Sequence, residues 1–158
     1  MADLFFRTQT FTHGESIPEK YTCEGDDFSP KLVVGDVPDD AAALAVVMDD
    51  PDAPGGTFTY WLLWNLPPDL LAIPEDVPQL EEVPDLGGAR QGENDFGDVG
   101  YRGPCPPEGD DPHEFRFTLY ALDEELDVDV GALRPSVQDA LDEHTLDSAQ
   151  FTGTFSRE

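Results

Sequence analysis

Few residues in this chain have the type and setting to do chemistry. The motif Asp49-Asp50-Pro51-Asp52-Ala53-Pro54 directly follows an eight-residue apolar run, Ala41 to Met48. Neither proline can donate to a ladder, so a strand entering this motif ends there and the loop is stiff. A cis bond before one of these prolines is an expected feature of so tight a turn. One reading is a carboxylate held at the mouth of a pocket. The plainer one is an acidic turn on an acidic protein, and composition alone favours it.

His113 is the second candidate. It stands two residues before Phe115, beside a loop that runs from Gly92 to Gly109 and contains Gly103-Pro104-Cys105-Pro106-Pro107. Glycines that accept positive φ and prolines that lock φ give such a loop a defined shape. Its backbone N–H groups can converge on an anion. The spacing is neither that of a P-loop nor of a dinucleotide fold, so an ATPase-type phosphate cradle is excluded. No serine lies in a G-x-S-x-G turn, which leaves no serine-hydrolase nucleophile. A Cys105–His113 thiol pair is disfavoured, because two prolines flank the cysteine and no helix start is predicted there to lower its pKa. The acidic run from Asp127 fails as an EF-hand, with Ala132 and Gln138 where glycine and glutamate are needed.

The elements that position these groups are mostly strands. Fifteen prolines and 14 glycines punctuate short apolar stretches, the pattern of a β-rich domain with long loops. Candidate strands are Leu32–Val34, Ala43–Met48, Tyr60–Asn65, Phe115–Leu122 and Phe151–Phe155. Phe115, Phe117, Leu119 and Ala121 alternate with polar or amphipathic neighbours, giving one apolar face. Ala43–Met48 and Trp61–Trp64 are apolar on both faces and read as central strands. One helix is predicted, capped by Ser136, with Val137, Ala140, Leu141 and His144 on one face. His144 then reads as a satisfied core residue, whereas His13 has no motif around it. The stretch from Pro67 to Pro84 reads as a surface loop. Residues 1–158 form a single domain in this reading.

Composition narrows the function. Among 158 residues, 35 are acidic and 8 basic, for a formal charge of -27. This argues against nucleic acid as a partner, since phosphate neutralisation needs lysine and arginine on a face. It argues equally against stable association with an anionic membrane. The apolar run is too short to span a bilayer, and the N-terminus carries no secretory-signal pattern. The acids are spread along the chain, and at molar salt their repulsion is screened within about 3 Å. The expected setting is therefore a high-salt cytoplasm, as in halophilic archaea. There, Cys23 and Cys105 are expected as two unlinked thiols, with a bridge between two loops as the alternative. No cofactor or metal is called for.

In their order, these pieces resemble the phosphatidylethanolamine-binding protein family, and most of all its bacterial and archaeal Raf-kinase-inhibitor-like branch. The likeness rests on Ile17-Pro-Glu-Lys-Tyr-Thr-Cys-Glu-Gly25, Asp50-Pro-Asp-Ala-Pro54, Phe58-Thr-Tyr-Trp-Leu-Leu-Trp-Asn-Leu-Pro67, Gly100-Tyr-Arg-Gly-Pro-Cys-Pro-Pro107 and His113-Glu-Phe-Arg-Phe-Thr-Leu-Tyr-Ala-Leu-Asp123. It implies a mainly β Greek-key sandwich of two antiparallel sheets with long loops and a short C-terminal helix. It also implies one small pocket for phosphate-like anions or phospho-headgroups. Carried over, that pocket holds Asp50, Asp52, Ala53 and Pro54, a wall of Gly103, Pro104, Cys105 and Pro106, and His113 from the strand edge.

Two departures stand out. Tyr60 replaces a histidine usual in the family, and Phe115 a frequent tyrosine. An anion pocket that loses a potential cation and a donor binds more weakly, since a hydrogen bond to a charged group is worth about 1.5–3 kcal/mol. Arg102 would compensate if its side chain reached the pocket. Asp50 is expected to hydrogen-bond His113 and hold it cationic, or to take up a proton itself. The resemblance implies a non-catalytic binding protein for a small anion or phosphorylated small molecule, with a regulatory role open to it. The alternatives are a cytosolic kinase- or protease-inhibitor-like protein or scaffold that meets a protein partner through its surface, and, more weakly, a hydrolase or lyase using His113 and Asp50. The branch also admits a homodimer.

Overall fold

A computed structural model describes residues 4–157. The strands are β1 Phe5–Thr8, β2 Leu32–Gly35, β3 Ala43–Asp50, β4 Phe58–Leu66, β5 Ala72–Ile73, β6 Glu82–Val83, β7 Ala89–Gln91, β8 His113–Leu122 and β9 Thr145–Phe155, with one helix, α1 Arg134–His144, before the last strand. They form two antiparallel sheets, ordered β1-β2-β5 and β6-β7-β4-β3-β8-β9. β3, β4 and β7 lie side by side, and the chain returns to lay β8 against the free edge of β3, a Greek-key connection.

The two apolar-faced strands are central, as their sequences require. All eight residues of β3 are buried. Successive side chains point to opposite faces of a strand. Leu44, Val46 and Met48 thus pack with Trp61, Leu63, Phe117 and Phe151 against the small sheet. Ala43, Ala45 and Val47 pack with Leu62 and Trp64 against Val137 and Leu141 of α1. The result is three layers: small sheet, large sheet, helix.

All five predicted strands form, each longer than its apolar stretch suggests. β9 begins at Thr145 because its first half, mostly exposed, pairs with β8 at the sheet edge where no apolar pattern marks it. The four-residue β1 was not predicted; its Phe6 and Thr8 point inward while Phe5 and Arg7 point out. The Pro67–Pro84 segment carries β5 and β6 and buries Val77 and Val83. Ser136 is not the helix cap. Leu133 takes that place without a side-chain bond, and Pro135 sits in the first turn, where its missing N–H costs nothing. His144 is not a core residue: as the last residue of α1 it lies past the packed turns, and its Nδ1–H donates to Asp123 at 2.9 Å. No peptide bond among the described residues is cis, so the two prolines of the acidic loop turn the chain in trans.

The expectation of two free thiols is overturned. Cys23 and Cys105 are joined, with their Cα atoms 5.4 Å apart, within the span a disulfide needs. Folding brings together two loops separated by 82 residues. No described helix is long and apolar enough to cross a membrane.

Candidate functional site

The acidic motif and His113 meet at one end of the sandwich. Asp50 ends β3 where Pro51 stops the ladder, and His113 begins β8 on the adjacent strand. His113 Nδ1–H donates to Asp50 Oδ2 at 2.6 Å. The other carboxylate oxygen of Asp50 accepts the Asp52 N–H at 2.8 Å, so the proline-stiffened loop holds the carboxylate from below. Both side chains are almost fully buried, at 2% exposure for Asp50 and 8% for His113. On its outer side, His113 Nε2–H donates to Asp110 Oδ2 at 3.2 Å. Burial pulls the imidazole towards neutrality, but the hydrogen bonds and charges of Asp50 and Asp110 outweigh it. The net direction is upward from the ordinary histidine value, which favours the cation.

Tyr60 reaches this site through a defect in pairing. The β3–β4 register jumps from Met48–Trp61 to Asp49–Thr59, which leaves Tyr60 as an extra residue. Such a bulge re-aims a side chain. Tyr60 therefore turns to the same side as Trp61, and both join the core between the sheets. Its hydroxyl accepts the Cys105 N–H at 3.4 Å. Burial pushes the phenol up to about 12, with the Cys105 N–H pulling the other way and the Asp50 charge adding to the rise. The hydroxyl therefore keeps its proton and can donate it.

Around these groups lies a cavity of about 190 Å³, lined by Asp50, Ala53, Pro54, Phe58, Tyr60, Phe96, Cys105, Pro106, Pro107 and His113. Its wall is an aromatic cluster: Phe58 meets Tyr60 at 5.1 Å and Phe96 at 4.9 Å between ring centroids. No lysine or arginine is among the lining residues.

Seven of the eleven site residues predicted from the sequence line this cavity. The other four stand behind it. Asp52 is exposed and supports Asp50 through its N–H. Gly103 donates its N–H to Asp27 at 2.6 Å, and the Pro104 carbonyl accepts the Cys23 N–H. Phe115 is fully buried, stacks on His113 and meets Tyr60 edge-on at 5.4 Å, so it backs the pocket without opening into it. Arg102 does not reach the cavity. Asp27 and Asp98 hold its guanidinium on the far side of Phe96, whose ring it covers at 4.9 Å. Phe58, Phe96, Pro107 and Asp110 were not predicted. Phe58 and Pro107 lay inside the quoted motifs; Phe96 was legible only as an apolar residue stranded in a polar glycine loop. Asp110 carried no signal at all among 35 acids.

A profile of the Phosphatidylethanolamine-binding protein family matches residues 7–156. A UPF0098 protein of Methanothermobacter thermautotrophicus is 44% identical over 151 residues, covering 96% of this chain and 97% of that protein. The UPF0098 protein PH1269 of Pyrococcus horikoshii is 43% identical over 150 residues, covering 95% of this chain and 75% of that protein. Among solved structures, Escherichia coli YbcL, a new member of the mammalian PEBP family, superimposes with a TM-score of 0.92 at 31% identity, covering 99% of this chain and 100% of that one.

Proposed function

The chain belongs to the phosphatidylethanolamine-binding protein family, and from that premise and the geometry of its cavity we propose that it is a non-catalytic binding protein for small anionic ligands. The observation that carries this reading is His113. It is the one basic group lining the cavity, held by the buried Asp50 carboxylate on one nitrogen and by the more exposed Asp110 on the other, and both favour its cation. Tyr60 adds a protonated hydroxyl. A carboxylate or phosphate monoester that accepts from both, with an uncharged or cationic remainder against Phe58 and Phe96, fits the size and lining.

The absence of lysine and arginine from the lining sets the charge of that ligand low, because a dianion would face one cation and the Asp50 carboxylate. Phosphoethanolamine is therefore expected to bind better than inorganic phosphate. Cys105 is spent in its bond to Cys23, and the lining offers no serine, threonine or lysine as a nucleophile. This supports binding over covalent chemistry. The proposed setting is a high-salt cytoplasm, which must then leave the Cys23–Cys105 bridge oxidised; alkylating thiols in a fresh extract reads that state directly.

The test is a two-dimensional NMR titration in molar KCl with phosphate, phosphoethanolamine and acetate. Shifts at His113, Tyr60 and the Cys105–Pro107 wall, lost in His113→Ala, are the expected result. An unmoved cavity at millimolar ligand would set the reading aside.

A further inference from the structure

His113 is held by two carboxylates of opposite character. Asp50 is buried, fixed by the Asp52 N–H and by the end of β3. Asp110 is 42% exposed and lies three residues before the histidine, on the segment that leaves the cavity wall at Pro107 and re-enters the sheet at His113. That segment therefore joins two lining residues, Pro107 and His113, without lining the cavity itself. It turns at Gly109, whose φ of 84° is open to glycine and strained for other residues. Its outer side is tied to the chain end, where Gly109 N–H donates to the Arg157 carbonyl at 2.9 Å and Arg157 to Glu108 at 3.0 Å. The Asp110 carboxylate is thus delivered by a short loop to the one donor, Nε2–H, that the buried pair leaves for a ligand.

We propose that Asp110 is a tethered competitor: its carboxylate occupies the His113 position meant for the ligand's anionic oxygen, and a ligand binds by displacing it. This rests on the reading of the cavity as an anion receptor and adds what His113 Nε2 meets when the site is empty. The two ion pairs differ in the way displacement needs. A buried charge pair is costly to break, whereas an exposed one is worth little. The ligand therefore removes Asp110 and leaves Asp50 in place. The loop also sets ligand shape: the incoming group must be an oxyanion small enough to replace a carboxylate at Nε2, with its remainder lying inward along Phe58 and Phe96 or outward past the opened loop.

The experiment compares the wild type with Asp110→Ala and Asp111→Ala in the same KCl buffer. Both variants remove one exposed charge from the same loop, but only the first removes a contact with the ring. Without ligand, the His113 midpoint is read by NMR. The groups that face this ring are Asp50 from β3, Asp110 from its own loop and the Tyr60 phenol from β4. Asp110→Ala is expected to lower the midpoint and Asp111→Ala to leave it unchanged. With phosphoethanolamine and acetate as probes, at a pH below the His113 midpoint of all three proteins so that the ring is protonated in each, Asp110→Ala is expected to bind about two- to fivefold more tightly than wild type, the range an exposed ion pair commands. Asp111→Ala should match wild type. Equal affinity in all three proteins, with the probes bound, overturns the competitor and leaves the receptor standing. Weaker binding by Asp110→Ala makes Asp110 part of the receptor and likewise overturns the competitor. Failure of both probes to shift His113 in any of the three proteins overturns receptor and competitor together.

Discussion

Asp49 and Asp50 are neighbours on one buried strand, yet they face different layers and meet different partners. Asp49 points to the helix side and lies 5% exposed. It accepts Arg116 Nε and Nη2 at 2.8 and 2.9 Å, a paired grip, and Arg134 Nη1 from α1 at 3.2 Å. Asp50 points to the other side and meets His113. An arginine stays charged at any pH a protein survives, so the first cluster is a fixed lock between β3, β8 and the helix. A histidine titrates near neutrality, so the second is adjustable. The Asp49 bond raises the Arg116 guanidinium still further, burial working against it, which only deepens the lock. Partner chemistry, and not the carboxylate or its burial, separates structure from function here.

The largest effect is expected on the lock. Asp49→Asn leaves two guanidinium groups facing a neutral amide. Removing one partner of a buried ion pair costs about 3–5 kcal/mol, and the partial exposure of both arginines brings the expected loss to about 2–4 kcal/mol. Urea unfolding in molar KCl measures it. The loss should be the same from pH 6 to 9 because arginine does not titrate there. A cost under about 1 kcal/mol would mean that water serves these arginines as well as Asp49 does.

Asp50→Asn tests the other face. The amide oxygen can still accept the Nδ1–H, so the stability loss should be smaller, about 1–3 kcal/mol. The charge that favours the imidazolium is gone, so the His113 midpoint should fall and phosphoethanolamine binding at pH 7 should weaken about tenfold. Were Asp50→Asn to cost as much as Asp49→Asn while leaving the His113 midpoint in place, the contrast between lock and adjustable pair would collapse.

The fold was legible where burial dictates sequence. β3 and β4 are apolar on both faces because two cores press on them, and the Asp-Pro-Asp-Ala-Pro and Gly-Pro-Cys-Pro-Pro stretches spell out stiff turns. Asp50 and His113 were legible because each terminates a strand whose end the sequence marks. The rest depends on distance along the chain. Nothing local joins Cys23 to Cys105, and nothing local sends Arg102 to Asp27 and Asp98 in place of the pocket. In a chain this acidic, an arginine finds carboxylates before it finds a ligand. Asp110 is hidden for the same reason. The bulge that turns Tyr60 inward is a property of pairing and not of composition.

The pH dependence of stability separates the two faces without any change at Asp49 or Asp50. The folded His113 binds its proton more tightly than the unfolded chain, whose value is near 6.5. Between those two values the native state holds more protons, so stability falls as pH rises. The contribution is complete below about pH 6.5 and disappears as pH climbs through the folded value. His113→Gln should flatten this slope, whereas Arg134→Gln should lower stability evenly at every pH. A slope that survives in His113→Gln would assign it to another group and leave the His113 pair without its adjustable role.

The smallest effect belongs to Tyr60. Its ring packs against Phe58, Phe96 and Phe115, and Tyr60→Phe keeps all of that. Only the hydroxyl leaves, and the Cys105 N–H bond it accepts is long, at 3.4 Å. Stability should change by about 0.5 kcal/mol or less, at the low end for a hydrogen bond. Ligand affinity should change more, by about three- to tenfold, because the phenol is held protonated and under the proposed reading donates to the bound oxyanion. The ordering is what matters: Asp49→Asn loses stability with a small effect on binding, and Tyr60→Phe loses binding with a small effect on stability. Equal phosphoethanolamine affinity in Tyr60→Phe and wild type would leave His113 as the only donor of the cavity. The aromatic wall would then act through shape alone.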